Sequence, residues 1–106
     1  MLLTELEPEF CVATGNGSFR RVPTFAEAQG ILFLCPSCFS RNDGKGVHSV
    51  LVWFRDKGVP PEMFPAPRWV ATGTSLEDLT ISPSINLVTP DQPNEWHGWI
   101  INGNVT

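Results

Sequence analysis

Two cysteines stand two residues apart in the stretch FLCPSCF, which runs from Phe33 to Phe39. The tight turn of a C-x-x-C pair brings both sulfur atoms to one point, where backbone N–H groups can support thiolate charge. Pro36 presets the backbone just after the first thiol. A structural zinc ion needs four nitrogen or sulfur ligands. Besides Cys35 and Cys38, the chain offers three such residues, namely Cys11, His48 and His97.

The two histidines are the better candidates for the remaining ligands. His48 begins the strongest predicted strand, and if that strand pairs with Ile31 to Leu34, the intervening loop returns His48 to the level of the cysteines. His97 begins the last predicted strand, where its ring can turn toward the end of the sheet. The sequence therefore predicts a tetrahedral zinc site, because thiolates and imidazoles favour zinc over hard cations. Its four ligands would be Cys35, Cys38, His48 and His97.

Other interpretations of these residues remain open. A C-x-x-C pair can be a redox pair, although the preceding βαβ pattern of thioredoxin-like folds is missing. The two cysteines could also be small buried residues, and His48 could be a hydrogen-bonded histidine of a strand. Cys11 lies in an apolar stretch and has the character of an inert core thiol. The four tryptophans are expected to fill the core of so small a protein.

The composition indicates one small folded domain over residues 1–106. The apolar fraction is 42% and the charged fraction 17%, as in a folded soluble protein. Ten prolines and nine glycines favour a loop-rich β fold over a helix bundle. Because a chain of this length buries a thin core, a metal ion would stabilise it considerably.

Charge and hydropathy exclude several functional classes. The net charge is −4, with seven lysines and arginines spread thinly, so binding to nucleic acid through phosphate contacts is not expected. The N-terminus MLLTELEPEF lacks the basic region of a signal peptide, and no apolar run is long enough to cross a membrane. An odd number of cysteines argues against a disulfide framework. A cytoplasmic location is therefore expected.

Short apolar runs separated by turn residues predict six to eight strands. Phe10 to Ala13 and Ser18 to Val22 flank TGNG, a typical hairpin turn. Thr24 and Glu27 form a capping-box pattern that predicts one short helix ending at Gly30. Further strands are predicted at Ile31 to Leu34, Val47 to Phe54, Arg68 to Ala71, Thr80 to Ser82 and Trp96 to Ile101, the last followed by an Asn102-Gly103 turn.

Two proline-rich segments are predicted to be loops, from Lys57 to Pro67 and from Thr89 to Glu95. The predicted fold class is mostly β: a small single-domain sheet or sandwich with one short helix, stapled by a zinc knuckle.

Five motifs in this order resemble an uncharacterised family of small proteins encoded by bacteriophages, prophages and bacterial operons. The motifs are CPSC (35–38), HSVLV (48–52), WVATG (69–73), LEDLTISPSI (76–85) and WHGWIING (96–103). The resemblance covers about two-thirds of the chain and implies a small zinc-binding β domain with no assigned reaction. Members of that family often carry a cysteine shortly before W-H-G, where this chain has DQPNE (91–95). Either His48 completes the site or the protein supplies three ligands.

These alternatives lead to two functional hypotheses. A closed Cys₂His₂ site leaves no position for substrate, which predicts a non-catalytic, zinc-stabilised interaction protein of phage or mobile-element origin with a host or phage protein as partner. The candidate surface is the loop Gly58 to Pro67, unless Met63 and Phe64 both fold onto the core. Three protein ligands plus water would instead predict a zinc-dependent hydrolase with Glu95 or Asp91 as general base. The motifs of zinc deaminases, P-loop enzymes, G-x-S-x-G hydrolases and H-E-x-x-H proteases are missing.

Overall fold

The computed structural model describes residues 1–43, 45, 47–87 and 96–106. In this part of the chain, eight strands form one sheet, and one α-helix, α1, follows the third strand. The mostly-β prediction is therefore confirmed. The bounds are β1 Glu9–Gly15, β2 Ser18–Val22, β3 Gly30–Leu34, α1 Pro36–Asn42, β4 Ser49–Phe54, β5 Arg68–Thr72, β6 Thr80–Leu87, β7 Trp96–Ile101 and β8 Asn104–Val105. No helix of the described residues is long and apolar enough to cross a membrane.

The strand order in the sheet is β2-β1-β3-β4-β5-β6-β7-β8. Neighbours are antiparallel except β4 and β5, which run parallel over two residue pairs, Trp53 with Arg68 and Phe54 with Trp69. The sheet curls back on itself, because the rings of Phe33 on β3 and Trp96 on β7 meet edge to face at 6.0 Å although three strands separate them in the order. The main core lies inside this curl.

Two tight turns lie where the sequence predicted a hairpin turn and a turn after the last predicted strand. Asn16 and Gly17 between β1 and β2 both have positive φ, at 54° and 75°. Asn102 and Gly103 between β7 and β8 repeat this geometry at 50° and 77°. Positive φ at both central residues is the conformation that Asn-Gly adopts readily and that matches the twist of the flanking strands.

The predicted helix after Thr24 is only a 3-10 turn over Phe25–Glu27. The Thr24 hydroxyl donates to the Glu27 carboxylate at 2.9 Å, so neither side chain caps a backbone N–H group. The chain is already extended at Ala28, and the Gln29 N–H donates to the Cys11 carbonyl oxygen at 2.8 Å. Because Gln29 and Gly30 pair with β1, the helix cannot continue through them.

The α-helix instead forms at the second cysteine, where the sequence indicated a turn and loop. Cys35 is the N-cap residue and Pro36 occupies the first turn, a position where its missing N–H group costs nothing. The Phe39 N–H donates to the Cys35 carbonyl oxygen at 2.9 Å. The helix ends at Asn42, and its C-cap residue Asp43 has a left-handed conformation. The cysteine pair thus lies at the start of a helix, directly after a buried strand.

Candidate metal centre

The first two predicted ligands lie on one side of the junction between β3 and α1. Cys35 follows the last residue of β3, and Cys38 lies three residues later in the first turn of α1. Residues three apart on a helix are neighbours on its surface. Cys35 is fully buried and Cys38 nearly so, since both belong to the main core.

His48 reaches the same point by way of sheet pairing. Leu34 at the end of β3 pairs with Ser49 at the start of β4, so the residue before Ser49 lies opposite Cys35. The Cys35 N–H accordingly donates to the His48 carbonyl oxygen at 2.9 Å. Pairing of these two strands is the condition under which the sequence placed His48 at the level of the cysteines, and the structure meets that condition.

The three ligand atoms have the spacing of a metal site. The two sulfur atoms and the His48 ring nitrogen all lie within 4.8 Å of one another. Cys38 Sγ and His48 Nδ1 are 3.5 Å apart. For bonds of about 2.3 Å to sulfur and about 2.1 Å to nitrogen, tetrahedral angles put such atoms about 3.6 Å apart. Cys35, Cys38 and His48 therefore form a group that could hold a metal ion.

The surroundings of the sulfur atoms affect their protonation. Burial raises the pKa of the Cys35 thiol above its ordinary value, and hydrogen bonds from the backbone of Cys38 and Ser37 oppose that rise. Arg41 donates a hydrogen bond from Nη2 to Cys38 Sγ at 3.4 Å. A metal ion would displace the thiol protons, so its affinity would fall as the pH is lowered. His48 is the exposed member of the group and marks its solvent side.

His97, the fourth predicted ligand, is not brought into this group. Its Nε2 lies 2.9 Å from the hydroxyl oxygen of Ser84, and its ring stacks on Trp99 with centroids 5.2 Å apart. It lines a cavity of about 380 Å³ with Ser37 and Ser40 of α1. Ser40 comes two residues after Cys38, about 200° around the helix axis. A role for His97 as ligand stays a prediction and would require its ring to leave Ser84.

Cys11 has the surroundings of a core thiol. It is fully buried, in a small cluster with Trp53 and Met63, and it is not a member of the candidate metal-binding group. Burial is the main cause that raises the pKa of the Cys11 thiol from 9.0 to about 11. These properties fit the interpretation of Cys11 as a structural residue.

Arg41 contacts the site, and this contact was not predicted from the sequence. Its position three residues after Cys38 would have been a signal only if α1 had been predicted, because helical spacing is what directs its guanidinium to the sulfur. The two general-base candidates, Asp91 and Glu95, lie outside the described residues, as does the predicted loop from Thr89 to Glu95.

No family model, curated protein or solved structure matches this chain. The resemblance to the phage and prophage family therefore stays a prediction.

Proposed function

We propose that this protein binds one zinc ion through Cys35, Cys38 and His48, with His97 as the fourth ligand, and that the ion has a structural role. The observation that carries the proposal is the 3.5 Å separation of Cys38 Sγ and His48 Nδ1 within a group of three ligand atoms. Two sulfur donors and one imidazole suit zinc better than calcium or magnesium, which prefer oxygen.

The location of the group supports a structural role. Its members come from the end of β3, the first turn of α1 and the residue before β4, so one ion would tie three consecutive elements together. Two of the three side chains are part of the main core. Zinc binding contributes on the order of 10–16 kcal/mol in small zinc-dependent folds, which equals or exceeds the stability of a typical domain.

The competing function is zinc-dependent hydrolysis. It is favoured by one observation: the group contains three protein ligands, as catalytic zinc sites do. With water in the fourth position, the ion would lower the pKa of that water to about 7. The two functions differ in whether a fourth protein ligand is present, and this difference can be measured.

The zinc content of purified variants tests the proposal. Elemental mass spectrometry of the wild-type protein should give one zinc per chain. His48→Ala should lose or loosen that zinc, because one of four bonds is gone, and His97→Ala should do the same. Cys11→Ala is the matched control, since it removes a buried thiol outside the group and should keep the metal.

Two outcomes would count against the structural proposal. A wild-type protein without zinc, purified in the absence of chelator, would contradict metal binding altogether. Zinc retained unchanged in His97→Ala but lost from His48→Ala would indicate an exchangeable fourth position and favour the hydrolase.

We propose that the loop Gly58–Pro67, called here the proline loop, binds a partner protein. Among its larger apolar side chains, Val59 is half-buried and Met63 is buried, whereas Phe64 is 83% exposed, the highest value among the exposed large apolar residues described. Phe64 is thus presented to solvent, while its neighbour anchors the loop to Cys11 and Trp53.

The proline loop is held rigidly although it contains no strand or helix. Arg68 directs its guanidinium inward and donates to the backbone carbonyl oxygens of five loop residues, at 2.7 to 3.2 Å. Trp53 Nε1 donates to the Phe64 carbonyl oxygen at 3.1 Å. A loop that is ordered before binding loses little entropy when it docks. The five acceptors are Pro60, Met63, Pro65, Ala66 and Pro67.

These features support a protein partner with an apolar pocket for one aromatic ring. Buried aromatic anchors contribute most of the binding energy in many interfaces. Glu62 is the one charged residue in the proline loop, so a basic group at the rim of the pocket would complement it. The family resemblance points to a host or phage protein in the cytoplasm, and to a phage or mobile-element origin for this chain.

Affinity capture from a bacterial lysate tests the role of the proline loop. A discrete protein that binds the wild-type chain should be lost with Phe64→Ser and weakened with Arg68→Met, because the first removes the anchor and the second its support. Trp99→Ser, which removes an exposed aromatic side chain on β7, should retain it. Equal capture by all four chains would contradict the proposal.

A further inference from the structure

Cys35 and Cys38 are placed for a second reaction, the formation of a disulfide with each other. Cys35 is the N-cap residue of α1, and Cys38 is the third residue of the helix. Side chains at these two positions face each other, as those of a capping box do. The two sulfur atoms lie within 4.8 Å of each other. All three cysteines of the chain are in the thiol form in the structure.

The backbone separation of the pair suits a disulfide. Helical geometry puts Cα atoms that are three residues apart about 5 Å from each other. Cα atoms joined through a disulfide are usually about 4.4–6.8 Å apart. Rotation of the two side chains can therefore close an S–S bond of about 2.0 Å while α1 keeps its place after β3.

Cys11, the third thiol, is too far away to compete for this bond. It pairs with Gly30 at the start of β3. Cys35 comes five residues after Gly30 along the same direction, which is roughly 16 Å at about 3.3 Å per residue. A disulfide cannot join Cα atoms more than about 7 Å apart. Oxidation within one folded chain therefore has one disulfide product, between Cys35 and Cys38.

An oxidant in solution reaches Cys38 before Cys35. Cys38 is 8% exposed, whereas Cys35 is fully buried. Two side chains that contact Cys38 Sγ, His48 at 3.5 Å and Arg41 at 3.4 Å, are themselves exposed. Movement of either side chain uncovers this sulfur atom further. Cys38 is thus the thiol that meets the oxidant, and Cys35 is the thiol that resolves the product.

We propose that Cys35 and Cys38 form a redox switch, in which a peroxide converts the two thiolates into a disulfide and zinc is released. For the presence of zinc this inference rests on the proposed function. The Cys38 sulfur attacks one peroxide oxygen and the O–O bond breaks, which gives a sulfenic acid and water. The Cys35 sulfur then attacks the Cys38 sulfur and displaces hydroxide, which leaves as a second water. The two sulfurs lose two electrons, and the peroxide takes them up with two protons from solvent.

A disulfide cannot hold the metal ion in this site. The thiolate is the form of cysteine that binds a metal, and neither sulfur of a disulfide is a thiolate. Of the proposed ligands, only the imidazoles of His48 and His97 would remain. The new bond joins Cys35 to α1 but does not reach His48, so the ion's tie to the residue before β4 is lost. Because the folded state loses a bound ligand, oxidation should lower the melting temperature of the protein.

Titration of the zinc-loaded full chain with hydrogen peroxide tests the inference. A chromophoric chelator reads the released zinc, and mass spectrometry of the alkylated tryptic digest reads the disulfide. Cleavage after Arg21 and Arg41 leaves Cys35 and Cys38 on one peptide and Cys11 on another. The first peptide should lose two hydrogen atoms in step with the release of one zinc per chain, while Cys11 stays alkylated. A dithiol reductant should restore both the thiols and the bound zinc.

Two controls show whether the fold directs this reaction. Cys11→Ala is the matched variant, and it should form the disulfide and release zinc as the wild-type chain does. Wild-type chain oxidised in urea with a chelator should also form disulfides that include Cys11, because the fold no longer keeps the thiols apart.

The two readouts distinguish failure of the switch from failure of the metal site. A pair that peroxide leaves reduced, a disulfide that includes Cys11 in the folded chain, or zinc kept by a chain whose pair is oxidised would overturn the inference and leave the metal site standing. A reduced wild-type chain without zinc would contradict the proposed function and the release step with it, and the peptide mass would still decide whether the disulfide forms.

Discussion

At the scale of single residues, the buried thiol of Cys11 makes the stability of the protein depend on pH. Its folded-state pKa is about 11, whereas an exposed thiol has 9.0. The folded state therefore keeps the proton that the unfolded chain releases first. The contribution of Cys11 to stability is complete below pH 9 and is lost as the pH rises toward 11.

We expect the free energy of unfolding of the wild-type protein to fall between pH 9 and 11 by more than that of Cys11→Ala, which has no thiol at this position. With a pKa difference of two, the excess is at most about 2.7 kcal/mol. Urea unfolding followed by tryptophan fluorescence at both ends of this range measures it. The two chains differ only at this position, so an equal loss in the two would refute the assignment.

At the scale of elements, two hairpin turns of the same type differ in what surrounds them. Gly17 and Gly103 have nearly the same φ, 75° and 77°. A Cβ atom at Gly17 would meet nothing within 4 Å, whereas at Gly103 it would lie 2.3 Å from the Glu77 carbonyl oxygen. Gly103 is also fixed by backbone bonds, donating to Leu79 and accepting from Leu3, both at 2.9 Å.

The pair Gly17→Ala and Gly103→Ala therefore separates conformational strain from steric conflict. Gly17→Ala should lower the free energy of unfolding by about 1 kcal/mol, the cost of a left-handed alanine. Gly103→Ala should lower it by a further 1–3 kcal/mol or so, because backbone must shift to admit the methyl group. Chemical denaturation of both variants measures the difference. Equal losses would show that the backbone beside Glu77 can shift without lowering the free energy of unfolding.

For the whole molecule, the sequence predicted most of the strands and part of the site. Short apolar runs and Asn-Gly turns are local signals, whereas the pairing of β3 with β4, which are joined through α1, entered only as the condition for His48 to reach the cysteines. That pairing alone brought His48 to Cys35 and Cys38. The order of the remaining strands depends on contacts between distant residues, such as Phe33 with Trp96, and no local pattern specifies them.

The errors also have local physical causes. Thr24 and Glu27 match a capping box, but their side chains bond to each other and the following residues pair with β1. Conversely, the N-cap and Pro36 pattern that begins α1 was interpreted only as a cysteine turn. His97 was grouped with the cysteines from its position in the sequence; its ring lies beside Ser84, and its role as a ligand stays a prediction.

The parallel contact between β4 and β5 involves only two residue pairs, and this has a consequence for how the chain can be divided. A cut within the proline loop would leave β1 to β4 on one fragment and β5 to β8 on the other, each with its antiparallel pairing complete. Both halves contribute to one apolar core, which joins them beside this short contact. The N-terminal residues also link the two halves, since Met1 and Leu3 form backbone hydrogen bonds with Val105 and Gly103 of the second fragment. The sheet thus consists of two antiparallel halves, with the cysteine pair and His48 on the first.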